Sequence, residues 1–512
     1  MTRRGRSKLI IGFIYFSLEA NKMIKWWNKS FISVMLVFLF LISAGLTVSE
    51  EAEKNCNNGT AKKWTWIFYD DADFTPGFDP FYPFASQVYS SENLNVVVLQ
   101  DTYGDSAKIW YIDSHHNPVF REGWGEVNMG DYHTLKNFVE YAKNNYPAER
   151  YLLSFYDHGM GWRGACIDDT DNDHLTMDEI QKALTETEGV DVTCFTAPCV
   201  MGALESVYEL RNLTKVYIGS EETSGYAWWW YVIGDICDIL NQEPDIDEIE
   251  LGGDIIELIY KDSDRWSDYD FGDQLTMSAI RTDRIEELAD AIDTVAQHLI
   301  YNFEVSSDKV ESIYYKVQKF EWDHLIDIYS FAENYLSVET NQTVCQEMEN
   351  VMECLQNAVI AECHGSAHPD AHGLTIYFPN PHKYGYETSY SSLGYGLDFS
   401  RDTHWDEFLE YYLGMKPYVI VYGISGGIGV NAYLKNIGGR YGSDISWEII
   451  IDAPLMLSGR ISRGSVSIGA GEVVQIESDT VMGIGPATIS VITDNDKKTM
   501  QGFVVGPFVL LG

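Results

Sequence analysis

The chain has 512 residues and a formal net charge of −42, from 77 acidic and 35 basic side chains. An apolar fraction of 45% supplies a hydrophobic core, and an aromatic fraction of 14% excludes a disordered chain. The anionic surface argues against nucleic acid as a partner, because it repels a polyphosphate. It would favour cationic ligands, and the alternative is a solvated acidic face fitted to the environment.

Residues 1–49 are predicted to be a leader. Residues 31–46 form an uncharged apolar run, which Lys25 and Lys29 precede and small residues follow. This order is typical of a secretory signal peptide, and the run is short for a membrane span. We therefore expect an extracellular or cell-surface protein. An uncleaved anchor in this segment is the alternative and would be its sole membrane attachment.

From residue 64 onward, strand-like and helix-like segments alternate. Short β-branched or aromatic runs predict strands at residues 64–69, 95–99, 108–112, 151–156, 192–197 and 216–219. Helical spacing of apolar residues predicts helices at 132–145, 176–185 and 204–210. The alternation predicts an α/β fold with a mostly parallel sheet flanked by helices.

The rest of the chain divides into two parts. Residues 245–360 are predicted to be mainly helical, with long amphipathic stretches at 281–301 and 343–361, before a strand at 373–379 and a helix at 405–413. Residues 415–512 contain no cysteine and 16 of the 42 glycines. Their short alternating segments predict a small all-β sandwich with an accessory or surface-interaction role.

Residues 151–222 carry the candidate chemistry. One predicted strand ends at Asp157-His158-Gly159 and a later one ends near Cys199, with a helix capped by Thr176 and Glu179 between them. Such a crossover makes the two strands parallel, so that their C-terminal ends meet at one edge of the sheet. His158 and Cys199 are therefore predicted to lie one or two strand spacings of ~4.8 Å apart.

A thiol beside an imidazole is suited to nucleophilic catalysis. The start of a helix after Cys199 would favour the thiolate, and His158 would protonate the leaving amine. The backbone N–H groups of Gly159 and Cys199 would form an oxyanion hole, worth ~3–4 kcal/mol per donor. The alternative is a structural cysteine and an ordinary surface histidine.

These segments resemble the clostripain family of secreted cysteine peptidases, which are related to caspases, gingipains and legumains. The likeness covers about residues 64–413 and rests on WTWIFYDDAD, NVVVLQD, YLLSFYDHGMGW, LTMDEIQKAL, PCVMGALESVYEL, GSEETSGYAWWWY and HGLTIYFP. It implies a caspase-like peptidase domain over residues 50–414. It also implies a His158–Cys199 dyad that hydrolyses peptide bonds of protein or peptide substrates through an acyl-enzyme.

The predicted substrate pocket departs from the family pattern. Where the family commonly has Asp two residues before the cysteine, this chain has Ala197. The other expected pocket residues are Glu221, Glu222, Tyr226 and Trp228, with core packing as the alternative for the aromatic ones. A preference for Arg or Lys needs a buried carboxylate facing the cation, so basic specificity is not expected. A catalytically silent binding protein that retains the fold is the rival hypothesis.

Four aspartates crowd one loop: Asp168, Asp169, Asp171 and Asp173. They fail the EF-hand template, which requires Gly at the sixth position and Glu at the twelfth. Calcium dependence in the resembled family implies a looser calcium site here, and a solvated acidic turn is the alternative. The peptidase chemistry itself requires no cofactor. A metal-dependent hydrolase using this loop is a second rival.

The eight cysteines show no CxxC spacing, and any disulfide pairing among them is undetermined. Members of the resembled family are often activated by cleavage at a basic residue between the histidine and the cysteine. Only Arg163 and Lys182 are available for such self-processing here.

Overall fold

The computed structural model describes residues 61–512 except 74–78, 224–228, 263–271, 322–323, 381–386, 392–393, 415–416, 418, 437–441, 470–471 and 495. The predicted leader, residues 1–49, lies outside the described residues. Across the described ranges, no helix has both the length and the apolar character needed to cross a membrane.

Strands and helices alternate along residues 61–414, as predicted. The strands are β1 (Lys62–Ala72), β2 (Leu94–Thr102), β3 (Ala107–Ile112), β4 (Pro118–Gly125), β5 (Ala148–Tyr156), β6 (Ala165–Asp168), β7 (Asp173–Leu175), β8 (Val192–Phe195), β9 (Val216–Gly219), β10 (Thr276–Arg281), β11 (Lys319–Phe320), β12 (Leu325–Asp327), β13 (Val359–His364) and β14 (Thr375–Tyr377). The helices are α1 (Phe81–Ala85), α2 (Tyr132–Asn145), α3 (Met177–Glu186), α4 (Leu204–Glu209), α5 (Trp229–Gln242), α6 (Glu248–Lys261), α7 (Ile285–Tyr301), α8 (Phe303–Tyr314), α9 (Ile328–Leu336), α10 (Gln342–Ala358), α11 (Asp398–Asp402) and α12 (Trp405–Gly414).

The described residues contain a nine-stranded sheet in the order β13-β10-β9-β8-β5-β1-β2-β3-β4. Its five central strands, β9 to β2, are parallel, which confirms the predicted parallel core of the fold. Two antiparallel strands extend the sheet at each edge.

Strands β10 and β13 lie in a region predicted to be mainly helical. The predicted helix over 281–301 begins only at Ile285, and the one over 343–361 ends at Ala358. Strand β10 is nearly fully buried between β9 and β13. Pairing with an existing sheet edge therefore decides its conformation, and this contact is not local in sequence.

Helices cover both faces of the sheet because alternate residues of β1 point to opposite sides. Ile67 and Tyr69 pack in the hydrophobic cluster that includes α2, α3 and α7. Trp66 and Phe68 pack in the opposite cluster with α1, α5 and α6. Because β1, β2, β5 and β8 are parallel, their C-terminal ends lie at one edge of the sheet.

The C-terminal region is all-β, as predicted. Its strands are β15 (Val419–Asn436), β16 (Gly442–Asp452), β17 (Leu455–Ser458), β18 (Ile461–Ile468), β19 (Val473–Glu477), β20 (Met482–Thr493), β21 (Lys497–Gly506) and β22 (Phe508–Leu511). They form one antiparallel sheet in the order β18-β16-β20-β21-β22-β15-β19, with β17 beside β20. The two outer strands approach each other, so the curled sheet is nearly closed around a core of its own that includes Ile449, Ile489 and Val504.

Candidate active site

Strands β5 and β8 place the candidate dyad. They are adjacent and parallel, and Phe155 is paired with Phe195 near their C-terminal ends. Beyond this pair, the amide and hydroxyl of Thr196 both donate to the carbonyl of Phe155, at 3.2 and 2.6 Å. The segments that follow the two strands therefore run side by side, at the same sheet edge, as the sequence predicts.

The backbone of Gly159 lies directly against the backbone of Cys199. A Cβ added to Gly159 would lie 2.2 Å from the Cys199 carbonyl oxygen and 2.6 Å from its amide nitrogen. Any residue other than glycine would push the cysteine segment away. This contact places the residue that follows His158 against the backbone of Cys199.

A short hairpin made of β6 and β7 holds the histidine segment from the other side. The amide of Cys166 donates to the carbonyl of His158 at 3.0 Å, and the amide of Met160 donates to the carbonyl of Gly164 at 2.8 Å. These two bonds flank an antiparallel bridge between Gly159 and Ala165. In this pattern the N–H of Gly159 itself points away from the hairpin. No sequence pattern predicted this hairpin.

Two strained residues flank the site. Asp157 has φ of 153° and Val200 has φ of 54°, and the latter is unusual for a β-branched residue. Ile167 N–H donates to the Asp157 carboxylate, and Val200 N–H donates to the carbonyl of Glu222 at 3.3 Å. Strain of this kind costs of order 1–3 kcal/mol per residue and concentrates at functional sites.

The environment of His158 favours its neutral form. Its side chain is exposed at the surface, yet the neighbouring protein partly desolvates the ring and lowers its pKa, while the negative charge of Asp169 opposes this effect. A neutral imidazole can accept the proton of a thiol.

Cys199 differs from the other cysteines nearby. It is half-buried, and its Sγ lies 3.8 Å from the carbonyl oxygen of Ala197. Burial raises the pKa of both Cys166 and Cys194, which makes these thiols poor nucleophiles. None of the seven cysteines in the described part of the chain forms a disulfide.

The helix expected to assist Cys199 begins at the predicted residue, but that residue lies more than one helical turn beyond the cysteine. Helix α4 begins at Leu204, and its N-cap Ala203 makes no side-chain capping bond. The field of a helix terminus falls off within about one turn. The local turn at Val200 and the contact with Gly159 therefore position Cys199.

The predicted pocket residues have different environments. Ala197 is buried in the core cluster that includes α5 and α6. Glu221 is buried too, and its carboxyl group accepts the amide of Gly373 at 3.0 Å, while burial and the nearby Asp327 raise its pKa. Tyr226 and Trp228 lie outside the described residues.

Glu222 contacts the segment that carries Cys199. Its carbonyl accepts the Val200 amide, while its carboxylate accepts the amides of Thr223, at 2.7 Å, and Glu321, at 3.3 Å. His368 Nε2 lies 3.6 Å from the same carboxylate. The two backbone amides therefore already bind the carboxylate of Glu222.

The four loop aspartates do not converge on one point. The buried Asp168 accepts the amides of Met129 and Asp171 at 2.8 and 2.7 Å. Asp173 accepts the side-chain amide of Asn128 at 2.8 Å. Asp169 and Asp171 are exposed.

A different acidic group lies at the same edge and was missed in the sequence. Single carboxylate oxygens of Asp73, Asp101 and Glu126 all lie within 4.8 Å of one another. Burial, together with the negative charges of Glu126 and Asp73, raises the pKa of Asp101 to about 8. The sequence signal was present, because each residue lies at or just after the end of a strand, β1, β2 or β4.

An α/β sheet with a cysteine and a histidine on adjacent parallel strand ends is typical of caspase-like cysteine peptidases. Residues 85–412 match the family model described as "Clostripain family". The chain belongs to the clostripain family.

Individual relatives agree with this assignment. The chain is 31% identical over 205 residues to clostripain from Hathewaya histolytica, a match that covers 32% of this chain and 38% of clostripain. The matched part thus spans well under half the length of that relative.

The fold is also similar to that of solved structures. A secreted C11 cysteine protease from Bacteroides thetaiotaomicron, iotapain, is similar at 14% identity and a TM-score of 0.51, over 68% of this chain and 100% of that one. An inactive zymogen C11 protease from Parabacteroides distasonis is similar at 17% identity and a TM-score of 0.49, over 68% and 99% of the two chains.

Proposed function

We propose that the protein is a secreted cysteine endopeptidase that hydrolyses peptide bonds with Cys199 as nucleophile and His158 as acid and base. The observation that carries the proposal is the contact between the Gly159 and Cys199 backbones beyond the C-terminal ends of the parallel strands. The contact is between the residue after His158 and the half-buried Cys199, and it supports a joint role for the two side chains in a protein of the clostripain family.

The chemistry follows from this arrangement. His158 accepts the Cys199 proton, and the thiolate attacks the carbonyl carbon of the substrate. The N–H groups of Gly159 and Cys199 donate to the resulting oxyanion, and the direction of the Gly159 N–H, away from the hairpin, supports this role. Collapse breaks the C–N bond as His158 protonates the leaving amine.

Deacylation uses the same groups in reverse. His158 takes a proton from a water molecule, and the hydroxide attacks the thioester carbon of the acyl-enzyme. The C–S bond breaks, the peptide leaves as a carboxylic acid, and Cys199 recovers its proton. No cofactor takes part in these steps.

The substrates are proteins or peptides without a basic residue beside the scissile bond. Ala197 provides no carboxylate before the nucleophile, and the backbone amides of Thr223 and Glu321 already donate to the carboxylate of Glu222. A net charge of −42 and the predicted leader support action outside the cell.

The test is labelling by a peptide electrophile that alkylates an active thiol, followed by mass spectrometry and a peptide-hydrolysis assay. We expect the label on Cys199, loss of both labelling and hydrolysis in Cys199→Ala, and at least a hundredfold loss in His158→Ala. Cys345, a half-buried cysteine on α10, provides the control variant Cys345→Ala, which should behave as wild type.

The same experiment separates the rival hypotheses. A silent binding protein would show no hydrolysis and no dependence of labelling on His158. A metal-dependent hydrolase using the aspartate loop would keep hydrolysing after alkylation of Cys199.

A further inference from the structure

The C-terminal sheet carries a continuous row of exposed apolar side chains on its outer face. Cross-strand pairing places Leu455 of β17 beside Ile484 of β20, which lies beside Val505 of β21. Val505 in turn lies beside Phe508 of β22, and Phe508 beside Ile428 of β15. These five residues are 46–79% exposed, although alternate residues of β20 are buried in the core. The row therefore crosses five neighbouring strands on the side that faces solvent.

Four more apolar side chains widen this row. Phe503 of β21 is paired with Leu510 of β22, while Leu457 lies two residues after Leu455 and Met482 two residues before Ile484. These four are 41–75% exposed. We refer to the nine residues together as the apolar face. Residues 482–493 and 499–512, which supply six of the nine, contain no charged side chain.

The size of the apolar face is that of a protein interface. Large apolar side chains each present about 150–250 Å² when fully exposed, and those of the apolar face are about half exposed. Together they leave on the order of 900 Å² in contact with water. The largest apolar patch of a typical monomer is only about 300–600 Å². Each partner in a stable interface buries about 800 Å², so the apolar face is large enough for one.

We propose that the apolar face binds the same face of a second copy of this chain across a two-fold axis. A two-fold contact joins identical patches, which requires a surface that is complementary to itself. An uncharged apolar face meets this requirement, because it needs no opposite charge on its partner. Two such sheets pack face to face about 10 Å apart, with their side chains interdigitated.

The distribution of charge permits this contact. The chain has a net charge of −42, but residues 415–512 carry seven basic and eight acidic side chains and so contribute only −1. Two copies that meet through the C-terminal sheet therefore join nearly neutral regions. The repulsion between the remaining charges is screened beyond about 10 Å at 0.1 M salt.

A lipid surface fits the apolar face less well. Proteins that bind membrane surfaces present Lys or Arg to anionic headgroups and place Trp or Tyr at the interface. None of the nine residues of the apolar face belongs to these types. The net charge of −42 would also repel an anionic membrane. A second copy of the chain is therefore the occupant that the composition of this face favours.

The test is analytical ultracentrifugation of the full chain over a hundredfold range of concentration. We expect the mass to rise from one chain to two and to rise no further. Val505→Glu and Phe508→Glu should each weaken association at least about a hundredfold, because the two-fold axis buries the new charge twice. Thr499→Glu is the matched control, since it adds the same charge on the outer side of β21 beyond the apolar face, and it should associate as wild type does.

Two further measurements distinguish an apolar contact from other causes. Added NaCl should strengthen the association, because it screens the repulsion between two anionic chains, whereas an ionic contact would weaken. Phe508→Gln removes the apolar ring without adding charge and should also weaken pairing. Because Val505 and Phe508 are about half exposed, their variants should unfold at the temperature of the wild-type monomer. Cys199→Ala should pair normally, which makes the result independent of the proposed peptidase activity.

Several outcomes would overturn the proposal. They are a wild-type chain that stays monomeric over the whole range, equal association in wild type, Val505→Glu and Phe508→Glu, or a mass that grows past two chains. A monomer that floats with phosphatidylcholine vesicles, and no longer does so after Phe508→Glu, would assign the apolar face to a lipid surface instead.

Discussion

Replacing Gly159 by alanine tests the central contact of the candidate site. The added Cβ would lie 2.2 Å from the carbonyl oxygen of Cys199, and real Cβ contacts essentially never fall below 3.0 Å. The two segments must therefore separate by about 0.8 Å. The neighbours in question are backbone atoms, which cannot rotate away as a side chain does.

The expected magnitude follows from this displacement. Misplacing catalytic groups by about 1 Å costs roughly 10²-fold in rate, which corresponds to about 2.7 kcal/mol of transition-state stabilisation. We expect Gly159→Ala to lower kcat/KM for a peptide substrate by about this factor and to slow alkylation of Cys199 in parallel. Most of the loss should appear in kcat, because substrate-binding groups elsewhere are unchanged.

The matched control is Gly253→Ala in helix α6. A Cβ there would lie 3.6 Å from a methyl group of Ile360, an ordinary contact. Alanine in a helix interior should also stabilise the fold by about 0.5–1 kcal/mol. Wild-type kcat/KM in Gly159→Ala, with an unchanged unfolding temperature, would refute the placement of Cys199 against Gly159.

Three further predictions concern the same edge of the sheet. Because the pKa of His158 is lowered, the rate of Cys199 alkylation should stay high as the pH falls through about 6.5. Asp169→Asn should move the midpoint of this pH profile lower still. A midpoint above about 6.5 in the wild-type pH profile would contradict the prediction. Self-processing at Arg163 is not expected, because Arg163 lies in a 3₁₀-helix and its guanidinium is bound at 2.6 Å to the carboxylate of Glu387. Intact-mass spectra should therefore show a single uncut chain. A cut after Arg163 that Arg163→Gln abolishes would count against the prediction. Ala197→Asp should increase cleavage after Arg or Lys relative to other residues in a peptide library, whereas a wild-type enzyme that already prefers these residues would refute the pocket interpretation.

Local sequence patterns were sufficient to predict several of the helices and strands that carry the candidate site. Helix α2 has the predicted bounds, because Leu135, Phe138, Val139 and Ala142 recur at helical spacing and Asp131 caps the first turn. The parallel placement of β5 and β8 follows from a strand–helix–strand crossover, a rule that needs no distant contact. His158 and Cys199 were therefore selected as candidates from sequence.

Other features depended on contacts between distant parts of the chain. Strand β13 forms because β10 offers it an edge, although the helix before it was predicted to continue. The hairpin of β6 and β7 is too short to give a periodic pattern. Both arise from hydrogen bonds to partners that the local sequence does not specify.

The acidic group at the strand ends shows the same division between what local sequence predicts and what tertiary structure decides. Sequence alone determined the residue types at the strand ends, since an acidic residue lies at or just after the end of β1, β2 and β4. Only the tertiary structure decided that Asp73, Asp101 and Glu126 converge while the four loop aspartates do not. The physical reason is that strand order and register set distances between side chains, and these depend on packing of the whole sheet.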